Sequence, residues 1–231
     1  MQAVPNVVRE HWPEYLMEAA GLGLFMISAA VVTTLLEYPH SPLHGLFADQ
    51  ATRRLMIGLA MGATAIGLIY SPWGKRSGAH LNPAVTLTFY RLGKIGGIDA
   101  CSYVMAQFFG GALGLWLVSR AIGKAVEHPA VNYVVTTPGP AGSGTAFVAE
   151  ALISFGLMLV VLMVSNTTSL NAWTGCVAGA LVATYIAIEA PLSGMSMNPA
   201  RSFASALPAH LWTAFWIYLT APLIGMLLAA E

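Results

Sequence analysis

Six runs of about twenty mostly apolar residues, at 14–36, 53–71, 100–122, 144–165, 172–190 and 209–230, dominate the chain. Each has the length that a transmembrane helix needs. Two further apolar stretches, at 83–92 and 199–207, are only about half as long. Each of these opens on the same tripeptide, Asn82-Pro83-Ala84 and Asn198-Pro199-Ala200. Asparagine is a favoured N-cap, and proline suits the first helical position because its missing N–H would have no helical partner there. The pattern predicts an all-α membrane protein with six transmembrane helices and two re-entrant half-helices. Irregular backbone at membrane depth is tolerated only where it is buried in protein or lines a watery cavity. Two re-entrant halves therefore imply a cavity.

The repeat extends beyond the tripeptides. SGAHLNPAVTL (77–87) returns as SGMSMNPARSF (193–203), and Glu18 in MEAAGLGLFMI returns as Glu150 in AEALISFGLML. AQFFGGALGLW (106–116) is aligned with IYLTAPLIGML (217–227) along the third helix of each half. Three spans separate the two motifs, so the second half is expected to sit upside down relative to the first, as in many transport proteins. One domain over 1–231 follows: repeat one at about 14–122, a proline-bearing linker at about 123–143, and repeat two at about 144–231. The pairs Gly58/Gly62, Gly110/Gly114 and Gly175/Gly179 have the spacing that lets membrane helices approach closely.

Composition narrows the class. Only 9% of residues are charged and 57% are hydrophobic, against about a quarter charged in soluble domains, so the exterior is expected to face a lipid bilayer. Net charge is zero, which removes nucleic acid as a partner. Cys101 and Cys176 lie in apolar segments and read as small buried hydrophobes. The first fifteen residues lack the features of a signal peptide, so the first run reads as a retained span. Arg9, Lys75, Arg76, Arg91 and Lys94 fall on one side, and Arg53, Arg54, Arg120 and Lys124 on the other. That balance leans toward both termini being cytoplasmic.

Ionisable residues within spans are costly and point to function. Arg201 follows the second tripeptide directly and so lies one turn into a half-helix. Glu18 and Glu150, one per repeat, read as structural carboxylates that accept hydrogen bonds from loop backbone. His80 reads as a vestibule residue, with no second ligand at metal spacing, so neither metal nor cofactor is expected. Glu189 is expected at the outer mouth. If each cap uses its side-chain oxygen on its own helix, the amide NH2 groups of Asn82 and Asn198 are left facing the cavity. No Ser/His/Asp grouping, catalytic carboxylate pair or metal cluster stands at usable spacing, so the chain is not expected to be an enzyme.

Both Asn-Pro-Ala copies, Arg201, Glu18, Glu150, Gln107 and Pro222 together resemble the aquaporin, or major intrinsic protein, family over essentially the whole chain. The resemblance implies a homotetramer with one pore per subunit in a cell (plasma or inner) membrane. It also implies that half-helix dipoles, each worth roughly half an elementary charge at the N-terminus, act with the arginine to exclude protons and ions. A constriction of four positions is implied at Arg201, Ile186, Met195 and either Met61 or Gly62, since SPWGKRSGAH makes the first loop about one residue longer than the family's common pattern. Water-selective members typically carry an aromatic on the second span and histidine on the fifth, and neither is present here. Ser202, Ala206 and Tyr218 resemble water channels, while Leu219 resembles the glycerol type. The expected function is a passive channel for water and small uncharged solutes. The alternative is an aquaglyceroporin-like channel, mainly for glycerol or another small neutral solute (metalloid acid, urea, ammonia, peroxide), with low water conductance. An ion-coupled secondary transporter is the remote alternative, since apart from the two structural glutamates no midplane ion site is evident.

Overall fold

Apolar length and punctuation set the elements. The computed structural model describes residues 4–231 and is helical throughout its ordered elements: α1 (Val4–Glu37), α2 (Pro42–Leu46), α3 (Gln50–Tyr70), α4 (Pro72–Ser77), α5 (Pro83–Arg91), α6 (Gly97–Ile122), α7 (Lys124–Glu127), α8 (Gly142–Ser165), α9 (Thr174–Ser193), α10 (Pro199–Ala209) and α11 (Phe215–Leu228). Among the described residues five helices (α1, α3, α6, α8 and α9) are long and apolar enough to cross a membrane. α5 and α10 are the half-helices. Start signals are explicit: Asp49 caps α3, its Oδ2 accepting the Thr52 hydroxyl and N–H, both at 2.7 Å. The same two bonds hold the Asp49 carboxyl below its usual range.

Three of the expected boundaries are corrected. α1 begins ten residues before position 14, and side chains around that position tie it to its neighbours: Tyr15 Oη donates to Asp99 Oδ1 at 2.6 Å, His11 Nδ1 lies 2.9 Å from the same oxygen, and Arg76 Nε donates to Glu14 Oε1 at 2.8 Å. α10 runs to Ala209, where His210 turns left-handed (φ 50°) and ends it. α11 therefore starts at Phe215 instead of 209 and has 14 residues, about 21 Å at 1.5 Å per residue. Apolar composition alone ran through the break at 210–214.

Packing reveals the inverted repeat. α1 pairs with α6 as α8 pairs with α11, α3 meets α9 across the two halves, and each half-helix lies against the third helix of the opposite half (α10 on α6, α5 on α11). Glycines make these approaches possible. A Cβ on Gly110 would collide with the Ala19 carbonyl, and one on Gly225 with the Ala151 carbonyl. These equivalent contacts set the third-helix register so that Gly110 matches Gly225, Tyr103 matches Tyr218 and Gln107 matches Pro222. The alignment of 106–116 on 217–227 is thus shifted by one turn. A Cβ on Gly62 would stand 2.5 Å from the Gly179 carbonyl oxygen. Gly62→Val is accordingly expected to weaken the fold by about 1–3 kcal/mol, whereas Gly67→Ala, with nothing within 4 Å of its added Cβ, is expected to be neutral. Thermal unfolding in detergent checks the pair.

Large apolar side chains cover the outside, among them Trp12, Leu16, Leu59, Met105, Phe109, Leu152, Met163 and Ile188, as an integral membrane protein requires. Cys101 is among the exposed residues and Cys176 is half-buried, so neither is the buried hydrophobe expected. The segment between the halves is more than a tether. Val126, Val131 and Val134 pack into one core with Leu22, Met26 and Met61, and the Gly139 N–H donates to the Leu192 carbonyl at 2.9 Å.

Candidate functional site

Two loops carry the chain back to mid-bundle, and each is built on one buried carboxylate. Glu18 Oε1 accepts the Ser77 hydroxyl at 2.7 Å and the His80 N–H at 3.0 Å, while Oε2 accepts the Leu81 N–H at 2.6 Å. In the second half Glu150 Oε1 accepts the Ser193 hydroxyl at 2.6 Å and the Ser196 N–H at 2.7 Å, and Oε2 accepts the Met197 N–H at 2.7 Å. Both glutamates are fully buried. Each carboxylate thus accepts one serine hydroxyl and two backbone N–H groups from the loop of its own half.

The carboxylates hold an unusual backbone. Ala79 and Leu81 have φ of 48°, and Met195 and Met197 have φ of 50° and 54°, a region that costs a residue with a side chain about 1–3 kcal/mol. Each loop enters through a left-handed glycine, Gly78 (φ 88°) after α4 and Gly194 (φ 81°) after α9. Sequence reasoning missed two supports. The Tyr103 hydroxyl donates to the Ser77 carbonyl at 2.7 Å, and Tyr218 to the Ser193 carbonyl at 2.6 Å. The recurring Ser-Gly was the available signal for the serines. The tyrosines became visible only in the corrected register.

Each loop ends on its asparagine. Asn82 Oδ1 accepts the Ala84 N–H at 2.9 Å, and Asn198 Oδ1 accepts those of Ala200 and Arg201 at 3.1 and 3.2 Å, as the caps were expected to do. The amide groups differ from expectation. Asn82 Nδ2 donates to the Met197 carbonyl at 2.7 Å, and Asn198 Nδ2 to the Leu81 carbonyl at 2.8 Å. One hydrogen of each amide thus ties the loop of the opposite half, and one remains for the cavity. Only the first half has a glutamine in support: Gln107 Nε2 donates to Glu18 Oε2 at 2.8 Å and Thr86 Oγ1 at 3.0 Å. Pro222 stands at its counterpart, and there Ser202 Oγ instead meets Ser196 Oγ at 2.5 Å and Thr136 Oγ1 at 2.8 Å.

A cavity of about 640 Å³ runs past both half-helix ends, from Glu37, Gln50 and Arg54 at one face to Phe89, Ser165 and Thr174 at the other. Asn82, Asn198, His80, Met61, Ile186, Met195 and Arg201 all line it. Of the two candidates on the second span, Met61 faces this space, while Gly62 is turned against Gly179 of α9. Met61 and Met195 line the cavity while only 2% and 5% exposed, because each is also packed into the core. Pro83, Ala84, Pro199 and Ala200 are buried behind the asparagines and seat the half-helices. His80 stacks on Phe89 at 4.9 Å, edge-on to Tyr103 at 5.3 Å. Glu189 departs from expectation: it does not line the cavity, and it lies buried with both carboxylate oxygens unpaired among the described residues. Val131, Val134 and Val135 of the segment between the halves do line the cavity, which the sequence did not suggest.

A helical membrane bundle threaded by a cavity, with two half-helix N-termini meeting inside it, is the architecture of a transmembrane channel. Residues 7–231 match the profile of the family described as Major intrinsic protein, and the chain belongs to that family. Among its relatives, Aquaporin NIP6-1 of Arabidopsis thaliana is 37% identical over 76% of this chain and 56% of its own length. The chain thus spans little more than half of that longer protein. The Probable aquaporin AqpM of Archaeoglobus fulgidus is 36% identical over 75% of this chain and 73% of its own. Aquaporin NIP2-2 of Zea mays is 33% identical over 90% and 70%. The X-ray structure of the aquaglyceroporin from Plasmodium falciparum superimposes with a TM-score of 0.78, covering 95% of this chain and 94% of that one at 21% identity, which shows a shared fold. The chain is therefore a channel protein and not an enzyme.

Proposed function

We propose that the channel passes small neutral solutes of about glycerol size, with water as the lesser permeant, and that it excludes ions and protons. The observation that carries this reading is the cavity lining at four positions. Met61, Ile186 and Met195 surround the path with thioether and aliphatic surface, and Arg201 is the one charged group among them. A permeating water gives up hydrogen bonds there that such a lining cannot replace. A hydroxylated carbon skeleton has apolar faces for the methionines and oxygens for the arginine. In this reading Arg201, Ile186, Met195 and Met61 form the filter, and the two asparagines form a second polar point at mid-membrane. The protein works as a homotetramer in a cell membrane with both termini cytoplasmic.

Stopped-flow swelling of proteoliposomes tests it. Glycerol flux should stand well above bare lipid, with water flux low for a channel. Met61→Phe combined with Ile186→His should cut glycerol flux at least about tenfold, the scale of discrimination that pocket size alone gives, while water flux persists. Water conductance with glycerol excluded from the native protein would sink the solute assignment.

A further inference from the structure

We infer that Arg54 and Glu37 form an outer recognition station for small hydroxylated solutes, ahead of Arg201 on the same path. The inference rests on the reading of this cavity as a route for neutral solutes. Adjacent arginines at the start of α3 have opposite fates. Arg53 is buried and engaged: Nε donates to Glu37 Oε2 at 3.1 Å, and Nη1 to the carbonyls of Phe47 and Ala48 at 2.8 and 2.9 Å. Arg54 lines the cavity and makes no hydrogen bond or ion pair among the described residues, and its Nε is closed off from water without a partner. It is thus not engaged in holding the fold.

Position follows from helical spacing. Gln50, Arg54, Ile57 and Met61 all line the cavity and recur at intervals of four, three and four, which keeps them on one face. Arg54 stands seven residues before Met61, about 10 Å outward along the helix. Between the two levels Ile57, Val131 and Val134 give the lining aliphatic surface, and the Thr33 hydroxyl is the side-chain polar group among them. Arg54 is therefore a second charged stop, about two helical turns outward of the first.

The chemistry of the mouth suits hydroxyl groups. Glu37 also lines the cavity, and Arg53 engages only its Oε2, which leaves acceptor capacity on that carboxylate. A hydroxyl donates and accepts, so a solute with neighbouring hydroxyls can give a proton to Glu37 and take one from Arg54. The charges of Glu37 and Arg53 offset one another in their ion pair, and Arg54 leaves the mouth net positive. A polyvalent oxyanion, which matches a guanidinium fork, should lodge there and obstruct the path.

Glycerol flux through proteoliposomes, with inorganic phosphate added on both sides at constant ionic strength against chloride, reads both properties. Phosphate is expected to slow glycerol flux through the native channel. Arg54→Gln should abolish that sensitivity and raise the glycerol concentration for half-maximal flux about three- to tenfold, the usual net effect of one hydrogen bond. Arg54→Lys should keep the phosphate response, because the charge remains, but not the half-maximal concentration, because the planar fork is gone. Size-exclusion profiles in detergent confirm that each variant is folded. Intact glycerol flux that ignores phosphate, or that responds identically in Arg54→Gln, overturns the station alone. Absence of glycerol flux from the native protein sinks the solute reading and the station with it.

Discussion

Replacing Glu150 with alanine is expected to abolish the folded channel, not merely to slow it. The substitution orphans three donors at once, the Ser193 hydroxyl and the N–H groups of Ser196 and Met197. A buried unsatisfied donor costs about 1–3 kcal/mol, so the loss approaches the about 5–15 kcal/mol that holds a typical domain together. It also frees the N–H of Met197, one of the left-handed methionines of this loop. Glu150→Gln keeps one carbonyl oxygen and should fall between alanine and native. Detergent size-exclusion profiles and swelling per folded protein are the measurements. Native stability and flux in Glu150→Ala would show that the loop does not depend on this carboxylate.

Arg201→Val should have the second large effect, on what is excluded. The side chain lines the cavity one turn into α10, and its guanidinium makes no hydrogen bond among the described residues, with Nη1 closed off and unpartnered. Its charge is thus not offset by a direct ion pair. A cation about 5 Å away, at an effective dielectric of about 20, meets about 3 kcal/mol of repulsion, or about a hundredfold in permeability. Removing it should open a cation or proton leak of that order, reduced by whatever barrier the two half-helix ends retain. Vesicles loaded with a pH-sensitive dye measure the leak, and an unchanged proton flux would remove Arg201 from the exclusion mechanism.

The half-helices were legible because capping chemistry is local: Asn-Pro-Ala specifies a helix start wherever it stands, and two copies separated by three spans specify opposite directions. The carboxylates were legible for a similar reason, since a charge within an apolar run demands a partner. Long-range matters were not. Arg53 and Arg54 are chemically identical and adjacent, and only the fold sends one into Glu37 and the loop carbonyls and the other into the cavity. Met61 and Gly62 could not be separated until Gly179 was found opposite the glycine. The stretch 123–143 has no helical period because its valines are presented by short turns and extended chain, so its part in the lining left no pattern. The late start of α11 was hidden because the residues before it are apolar while the break depends on left-handed His210 and Ala214.

The crossed asparagine bonds carry a consequence for biogenesis. The Leu81 carbonyl is satisfied by Asn198, and the Met197 carbonyl by Asn82, so neither pore loop is complete until the other half has arrived. Synthesis delivers the N-terminal half first. That half must wait in the membrane with its loop unfinished while the remaining spans are made, and closure of the pore is a late docking event between two halves that template each other.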